Sequence, residues 1–132
     1  MKGVKELAFR LKRGDDLKKG IVSHLSENDT AVILSAVGCL SHLKIRLAKA
    51  LDYLDTEEDY EIISMIGTVS KGNAHLHIGV SDDKGNCVGG HLMDGCIINT
   101  TCEVVLGILE EYDSCREFDE ETGYDEISFI RR

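Results

Sequence analysis

The sequence predicts a single α+β domain, with a mainly antiparallel or mixed β-sheet of about seven strands and one clear helix. Three observations lead to this fold class. Apolar residues alternate with polar ones in most segments, as is typical of strands. Helical spacing is clear in one segment only. The 132 residues contain no proline, and no linker, repeat or low-complexity stretch interrupts them. We therefore expect residues 1–132 to form one domain around one core.

The first half of the chain predicts a strand, a helix and two further strands. Residues 5–12 alternate apolar and polar side chains, which favours a strand. Acidic residues at 15–16 then open a helix of about ten residues, whose apolar positions recur at helical spacing. Residues 31–37 form a continuous apolar run that is typical of a buried strand. Residues 41–47 alternate cleanly and predict a half-buried strand.

The second half is richer still in predicted strands. Residues 52–59 are acidic and predict a solvated connection. Tyr60–Ser70 is apolar on both faces, which indicates a strand buried in the sheet. Residues 96–110 form a long β-rich segment, with a bend near Gly107. Residues 117–129 predict two short strands around a turn.

Composition narrows the classes of function. The formal net charge of −9 opposes direct binding to nucleic acid, because such binding needs lysine and arginine at the phosphates. No apolar run of about 18 residues predicts a transmembrane helix, and the N-terminal residues show no signal-peptide pattern, so we expect a cytoplasmic protein without membrane contact. Five cysteines without a C-x-x-C pair are expected to be buried free thiols.

Three of the five histidines fall within residues 73–103. His75 and His77 are two apart and share one face of a strand. If residues 83–85 form a three-residue hairpin loop with Gly85 left-handed, positions whose numbers sum to 168 face each other, and His77 lies opposite His91. A four-residue loop would instead put His91 on the other face. The glycine at position 85 favours the first register.

Three converging imidazoles predict a metal site. Three neutral histidines that leave a fourth position open are typical of catalytic zinc, although imidazole also suits iron, copper and nickel. A metal there could ionise water or polarise a carbonyl group. The alternative is that His75, His77 and His91 are hydrogen-bonded side chains of a sheet. His24 and His42 are expected at a helix end and on a solvated face.

Two neighbouring features allow alternative interpretations. Gly89-Gly90 can let the chain approach a neighbouring strand closely, or it can leave room for a ligand or a partner subunit. Glu103 can act as an acid-base group or fourth ligand, or it can simply face solvent. No phosphate-binding loop and no nucleophile elbow is present in the sequence.

Several motifs resemble those of one known family. They are the segment EIISMIGTVS at residues 61–70, His-Leu-His at 75–77, Gly-Gly-His-Leu at 89–92, Gly-Cys at 95–96 and Thr-x-Glu-Val at 101–104. Together they resemble the plants and prokaryotes conserved (PPC) domain. The resemblance runs over nearly the whole chain, and the pairing of His-Leu-His with Gly-Gly-His-Leu is specific.

This resemblance implies a compact α+β fold that assembles as a homotrimer. It also implies that the three histidines lie close together and can bind zinc. In plants the domain follows AT-hooks in DNA-binding proteins, but this chain has no AT-hook and is acidic, so it is similar to stand-alone prokaryotic members. More distantly, the fold resembles that of acetolactate decarboxylase, which also holds zinc on three histidines.

Three hypotheses of function follow. The first is a trimeric, metal-binding module, with zinc on His75, His77 and His91, that has a regulatory or ligand-binding role and accepts a small-molecule ligand near the metal. The second is a small metal-dependent lyase or hydrolase that acts at the same site on a carboxylate-bearing or carbonyl substrate. The third and weakest is association with DNA.

Overall fold

The computed structural model describes residues 3–132 and confirms the predicted α+β class. Within these residues there are nine strands, one α-helix and one short 3₁₀ turn. Their bounds, in chain order, are β1 (Val4–Lys12), α1 (Leu17–Ser23), β2 (Thr30–Arg46), the 3₁₀ turn (Ala48–Ala50), β3 (Tyr53–Thr56), β4 (Tyr60–Ser70), β5 (Asn73–Ser81), β6 (Cys87–Leu92), β7 (Ile97–Leu109), β8 (Tyr112–Asp119) and β9 (Tyr124–Arg131).

Seven strands form one sheet in the order β1-β7-β2-β4-β5-β6, and β3 adds to β2. Every strand pairing in the described chain is antiparallel. The end of β2 also pairs with β6, through Ile45 with Leu92 and Arg46 with His91. The strands β2, β4, β5 and β6 therefore close into a ring, whereas β1 pairs with β7 alone at the far edge.

The core lies inside this curled sheet, under α1. The helix begins after Asp16, whose carboxylate accepts a hydrogen bond from the backbone N–H of Lys19 at 3.0 Å. Leu17 and Ile21 lie one turn apart on its inner face and are fully buried. The largest buried side chains are contributed by the helix and by five strands of the sheet, namely Leu17, Ile21, Leu40, Leu43, Ile45, Val69, Leu76, Val80, Leu92, Ile98, Val104 and Leu106.

Several elements differ in length from their predictions. The helix has seven residues rather than about ten, and it ends at a C-cap on His24. It is the one α-helix among residues 3–132, and no helix there could span a membrane. The predicted strands at 31–37 and 41–47 belong to the single 17-residue strand β2, which ends one residue earlier than predicted, at Arg46. The acidic segment 52–59, predicted as a connection, contains the short strand β3 that pairs with the end of β2.

The predictions of burial were wrong for two strands. In β4, predicted as buried on both faces, Ile63 and Ile66 are 60% and 61% exposed. In the apolar start of β2, Leu34 and Val37 are 53% and 54% exposed. The sequence pattern shows that these side chains are apolar, but it does not show whether another part of the chain covers them. In the single chain, their face of the sheet is open.

The cysteines are free, as expected, but not all are buried. Cys96 and Cys102 are in the core, where burial raises the pKa of each thiol to about 11. Cys39 and Cys115 are half-buried, and Cys87 is exposed, so the expectation of burial was wrong for these three. Cys87 begins β6 beside the hairpin loop, where no core exists to cover it.

The strands β8 and β9 form a separate hairpin that confirms the predicted pair of strands at 117–129 but begins earlier, at Tyr112. A cluster of buried hydroxyl groups fastens its base to the main sheet. The Ser114 Oγ atom lies 2.6 Å from Thr30 Oγ1 and 2.6 Å from Ser70 Oγ. All three side chains are at most 3% exposed. Lys71 and Asp113 add an exposed ion pair at 3.3 Å.

We expect Ser114→Ala to lower the free energy of unfolding by roughly 1–3 kcal/mol, because it removes the hydroxyl group that pairs with two other buried hydroxyls. Urea denaturation measures the change. Ser128→Ala is the matched control, since Ser128 is an exposed serine on the same hairpin. An equal, small effect of both substitutions would show that the hydroxyl cluster does not anchor the hairpin.

Candidate metal centre

The loop between β5 and β6 sets the register of the histidine hairpin. Gly85 has a φ of 82°, and the backbone N–H of Asp82 donates to the carbonyl oxygen of Asn86 at 2.9 Å. The Asp82 carboxylate accepts two further hydrogen bonds, from the N–H groups of Lys84 and Asn86, each at 2.9 Å. His77 consequently faces His91 across the hairpin. The predicted three-residue loop and its register are confirmed.

The three histidines converge on one face of this hairpin. Alternation along β5 buries Ala74, Leu76 and Ile78 and leaves His75 and His77 on the outer face. The ring centroids are 5.3 Å apart for His75 and His77, 5.6 Å for His75 and His91, and 5.9 Å for His77 and His91. One nitrogen of each ring lies within 4.8 Å of the other two. The convergence predicted from the loop register is therefore present, and the role of these residues as metal ligands stays a prediction.

The glycine pair holds the third histidine close to its neighbours. A Cβ atom on Gly89 would lie 2.7 Å from the carbonyl oxygen of Ile78, and one on Gly90 would lie 2.6 Å from that of Arg46. Both distances are too short for a side chain. Of the two interpretations, close approach of the backbone is therefore realised at both positions. Gly90 also lines the cleft beside His91.

The donor set fits a transition metal. Nδ1 of His91 is buried and has no hydrogen-bond partner among residues 3–132, so this nitrogen lacks the compensation that buried polar atoms usually have. Burial lowers the pKa of His91 to about 4, and the positive charge of Arg46 adds to the effect. Burial also lowers the pKa of His75, with His77 adding to it. Neutral imidazoles are the form that binds metals.

The histidines form the floor of an open cleft of about 830 Å³. One wall is the end of β2 with the following 3₁₀ turn, and the other wall is the β8–β9 hairpin. Arg46 of the first wall approaches Tyr124 of the second, with the guanidinium carbon 6.0 Å from the ring centroid. The charged residues that line the cleft are four cations and two carboxylates, namely Lys18, Arg46, Lys49, Arg116, Asp125 and Glu126. The cleft is thus locally positive in an acidic chain.

The other residues considered from the sequence lie elsewhere. Glu103 is exposed on β7, where it pairs with Arg10 and Val37, and it is not part of the cleft. It is therefore not positioned as a fourth ligand or an acid-base group within one chain. His42 contacts the carboxylate of Asp55, and His24 stacks on Phe9 with ring centroids 3.8 Å apart.

Sequence reasoning missed the walls of the cleft. Arg46 belongs to the predicted strand at 41–47, but nothing in that alternation indicates its pairing with His91, which depends on the end of β2 returning to β6. Arg116, Tyr124 and Glu126 carry no motif at all. Their position follows from how the β8–β9 hairpin folds back over the sheet, and no local pattern in the sequence encodes that contact.

Comparison with known proteins agrees with the fold. The family model of the Plants and Prokaryotes Conserved (PCC) domain, whose name is also abbreviated PPC, matches residues 1–110. This segment contains His75, His77 and His91. Among relatives, the bifunctional protein GlmU of a Synechococcus strain is 40% identical over 122 residues. The match covers 90% of this chain but 20% of GlmU, so the chain spans about a fifth of that relative's length.

Two solved structures are also similar. A hypothetical protein from Salmonella is 30% identical and superimposes with a TM-score of 0.94, covering 100% of this chain and 97% of its own. A protein from Archaeoglobus fulgidus, described as metal-containing, is 31% identical with a TM-score of 0.80, covering 95% of this chain and 94% of its own. Both likenesses extend beyond residue 110 and include most or all of the β8–β9 hairpin.

Proposed function

Because the chain belongs to the Plants and Prokaryotes Conserved domain family, we propose that it is a metal-binding protein that holds zinc on His75, His77 and His91. Its role is regulatory or ligand-binding. The single observation that carries this proposal is the set of three ring nitrogens within 4.8 Å of one another on the floor of a cleft. The similar Archaeoglobus fulgidus protein, described as metal-containing, supports it.

The residues around the histidines suit this role. The hairpin register and the close glycines hold the rings in place, which reduces the entropy lost on binding a metal. Zinc accepts three histidines and keeps one position open, where it supplies Lewis-acid chemistry to a ligand. The cleft above the histidines gives a small molecule access to that position. The five free thiols are in keeping with a reducing, cytoplasmic compartment.

We expect the purified protein to retain about one zinc ion per chain after incubation with Zn²⁺ and dialysis, and His77→Ala to lower the affinity for zinc at least about 100-fold. Loss of one of the three ligands should lower the affinity for zinc more than replacing a residue that only hydrogen-bonds to a ligand usually does. Elemental analysis and competition with a chelating dye measure both quantities. His42→Ala is the control, since it removes an imidazole outside the cluster. Wild-type protein that stays metal-free, with His77→Ala no different, would contradict the proposal.

A second candidate is a metal-dependent lyase or hydrolase that uses the same site. The observation that favours it is a carboxylate close to the histidines, because Glu126 lines the cleft and its charge acts on the pKa of His75. Such a group could hold or move a proton. Zinc-dependent turnover of an ester or a 2-oxo acid that His77→Ala abolishes would favour this candidate. Zinc binding without any turnover would favour the ligand-binding role.

Association with DNA is the weakest candidate. The net charge of −9 opposes it, and the cleft itself is lined by four cations against two carboxylates, a small local excess. It predicts a gel shift of duplex DNA that disappears as the salt concentration rises. The absence of a shift at low salt would remove it.

We further propose that the chain assembles as a homotrimer. The support is the exposed apolar patch made of Leu34, Val37, Ile63 and Ile66. Leu34 and Val37 lie in the stretch of β2, and Ile63 and Ile66 in the stretch of β4, that separates the two paired parts of the β2–β4 ladder. Ile66 also pairs with His77, so the patch adjoins the histidines. Neighbouring apolar side chains of this size favour burial against another protein surface.

A further inference from the structure

We propose that Arg116 binds the carboxylate group of a small organic acid whose other end reaches the three-histidine centre. The inference rests on the proposed function for the metal end of the ligand, but not for the carboxylate end. Arg116 lies on β8, opposite Ile127, and lines the cleft above His75. Arg116 and His75 line the same cleft.

One edge of the Arg116 guanidinium group has no hydrogen-bond partner among residues 3–132. Its Nη1 donates to the carbonyl oxygen of Asp125 at 3.2 Å, which fastens the side chain across the hairpin. Nε and Nη2 are buried and have no hydrogen-bond partner within residues 3–132. These two nitrogens belong to the same edge, where their N–H bonds point in nearly parallel directions. Such a pair donates two hydrogen bonds to the two oxygens of one carboxylate.

A buried edge of this kind favours an anion. Arginine remains protonated, so its charge cannot be relieved by loss of a proton. A buried charged donor without a partner is costly, and pairing with a carboxylate offsets that cost. The described residues do not supply the carboxylate, since no aspartate or glutamate among them forms an ion pair with Arg116. Asp125 and Glu126 stand on the same hairpin but leave the edge free.

The surroundings favour a carboxylate over a phosphate and a small molecule over a polymer. Asp125 and Glu126 repel a doubly charged phosphate more strongly than a single carboxylate. Leu47 and Ala48 on one wall and Tyr124 on the other give the cleft apolar surface for a carbon chain. Its volume of about 830 Å³ is that of sites for small molecules. The three histidines at the floor then meet the end of the molecule that lies opposite its carboxylate.

A matched pair of thiols tests the inference in zinc-loaded protein. The thiolate of 3-mercaptopropionate or of 3-mercapto-1-propanol can bind zinc, but only the first molecule also carries a carboxylate. Titration calorimetry should give the acid at least about tenfold higher affinity in the wild type. Arg116→Gln should remove that advantage while zinc content stays unchanged. Arg131→Gln is the control, since Arg131 is on the same hairpin with Tyr112 and Glu111 as its partners, and should keep the advantage.

A second measurement does not depend on zinc. In metal-free wild-type protein, the ¹⁵N–¹H signal of Arg116 Nε should shift on titration with propionate, and less so with inorganic phosphate. A signal that shifts in a protein that never binds zinc would uphold the carboxylate site and end the proposed metal function. An unmoved signal, or an advantage of the acid that survives in Arg116→Gln, would overturn the inference. A stronger response to phosphate would overturn its assignment to carboxylates.

Discussion

Replacing Gly67 with alanine is expected to lower the free energy of unfolding by roughly 2–5 kcal/mol. Gly67 has a φ of 134°, a conformation that residues with a side chain rarely adopt. A Cβ atom there would lie 2.1 Å from the carbonyl oxygen of His75 and 2.9 Å from the Cα atom of Leu76. Both neighbours are backbone atoms of a paired strand and cannot rotate away. Urea denaturation measures the loss.

The same substitution should also weaken zinc binding, because relief of the clash would move β5 at His75. Gly79→Ala is the matched control on that strand. A Cβ atom at Gly79 would meet only Cβ of Ser64, at an ordinary 3.8 Å, so stability should change by less than about 1 kcal/mol. Equal decreases in the free energy of unfolding of the two variants would mean that the close backbone contact at Gly67 is not the cause of the destabilisation.

Ile66→Asp is expected to convert the proposed trimer into monomers. It introduces a charge into the apolar patch, and burying an unpaired carboxylate against another chain is far more costly than leaving it in water. Sedimentation equilibrium should then give about a third of the wild-type mass. The folded chain should survive, because Ile66 is 61% exposed in the single chain.

Leu51→Asp is the control for this experiment, since Leu51 is 78% exposed and lies outside the patch, after the 3₁₀ turn. It should sediment as the wild type does. A wild-type protein that is monomeric at all concentrations would end the proposal of a trimer. A trimer that persists in Ile66→Asp would show that assembly uses another surface.

The histidine hairpin could be predicted from the sequence because its determinants are local. A period of two puts His75 and His77 on one face, and a glycine at the third loop position selects one register over its neighbour. Gly85 has the required left-handed conformation, and His77 faces His91. The single helix was predicted for the same kind of reason, from the acidic N-terminus at Asp16 and apolar residues one turn apart.

What could not be predicted depends on contacts between distant segments. The apolar runs in β2 and β4 were assigned to the core because they are hydrophobic. Hydrophobicity alone does not distinguish a side chain in the core from one on a surface that contacts another chain. The cleft depends on two such contacts, namely the pairing of Arg46 with His91 and the fastening of Ser114 to Thr30 and Ser70. Arg116 reaches the site only through the second of these.

The pairing of β1 with β7 alone has a consequence for how the chain folds during synthesis. Val4 pairs with Leu109, so on the ribosome β1 stays without a partner until about a hundred later residues have emerged, and such distant pairing is slow to form. Until then its backbone donors and acceptors are open to other nascent chains. Lys5, Arg10 and Lys12 carry charge along this strand. Charges on an unpaired strand oppose edge-to-edge pairing, so we expect these three to limit aggregation during the interval in which β7 is still being made.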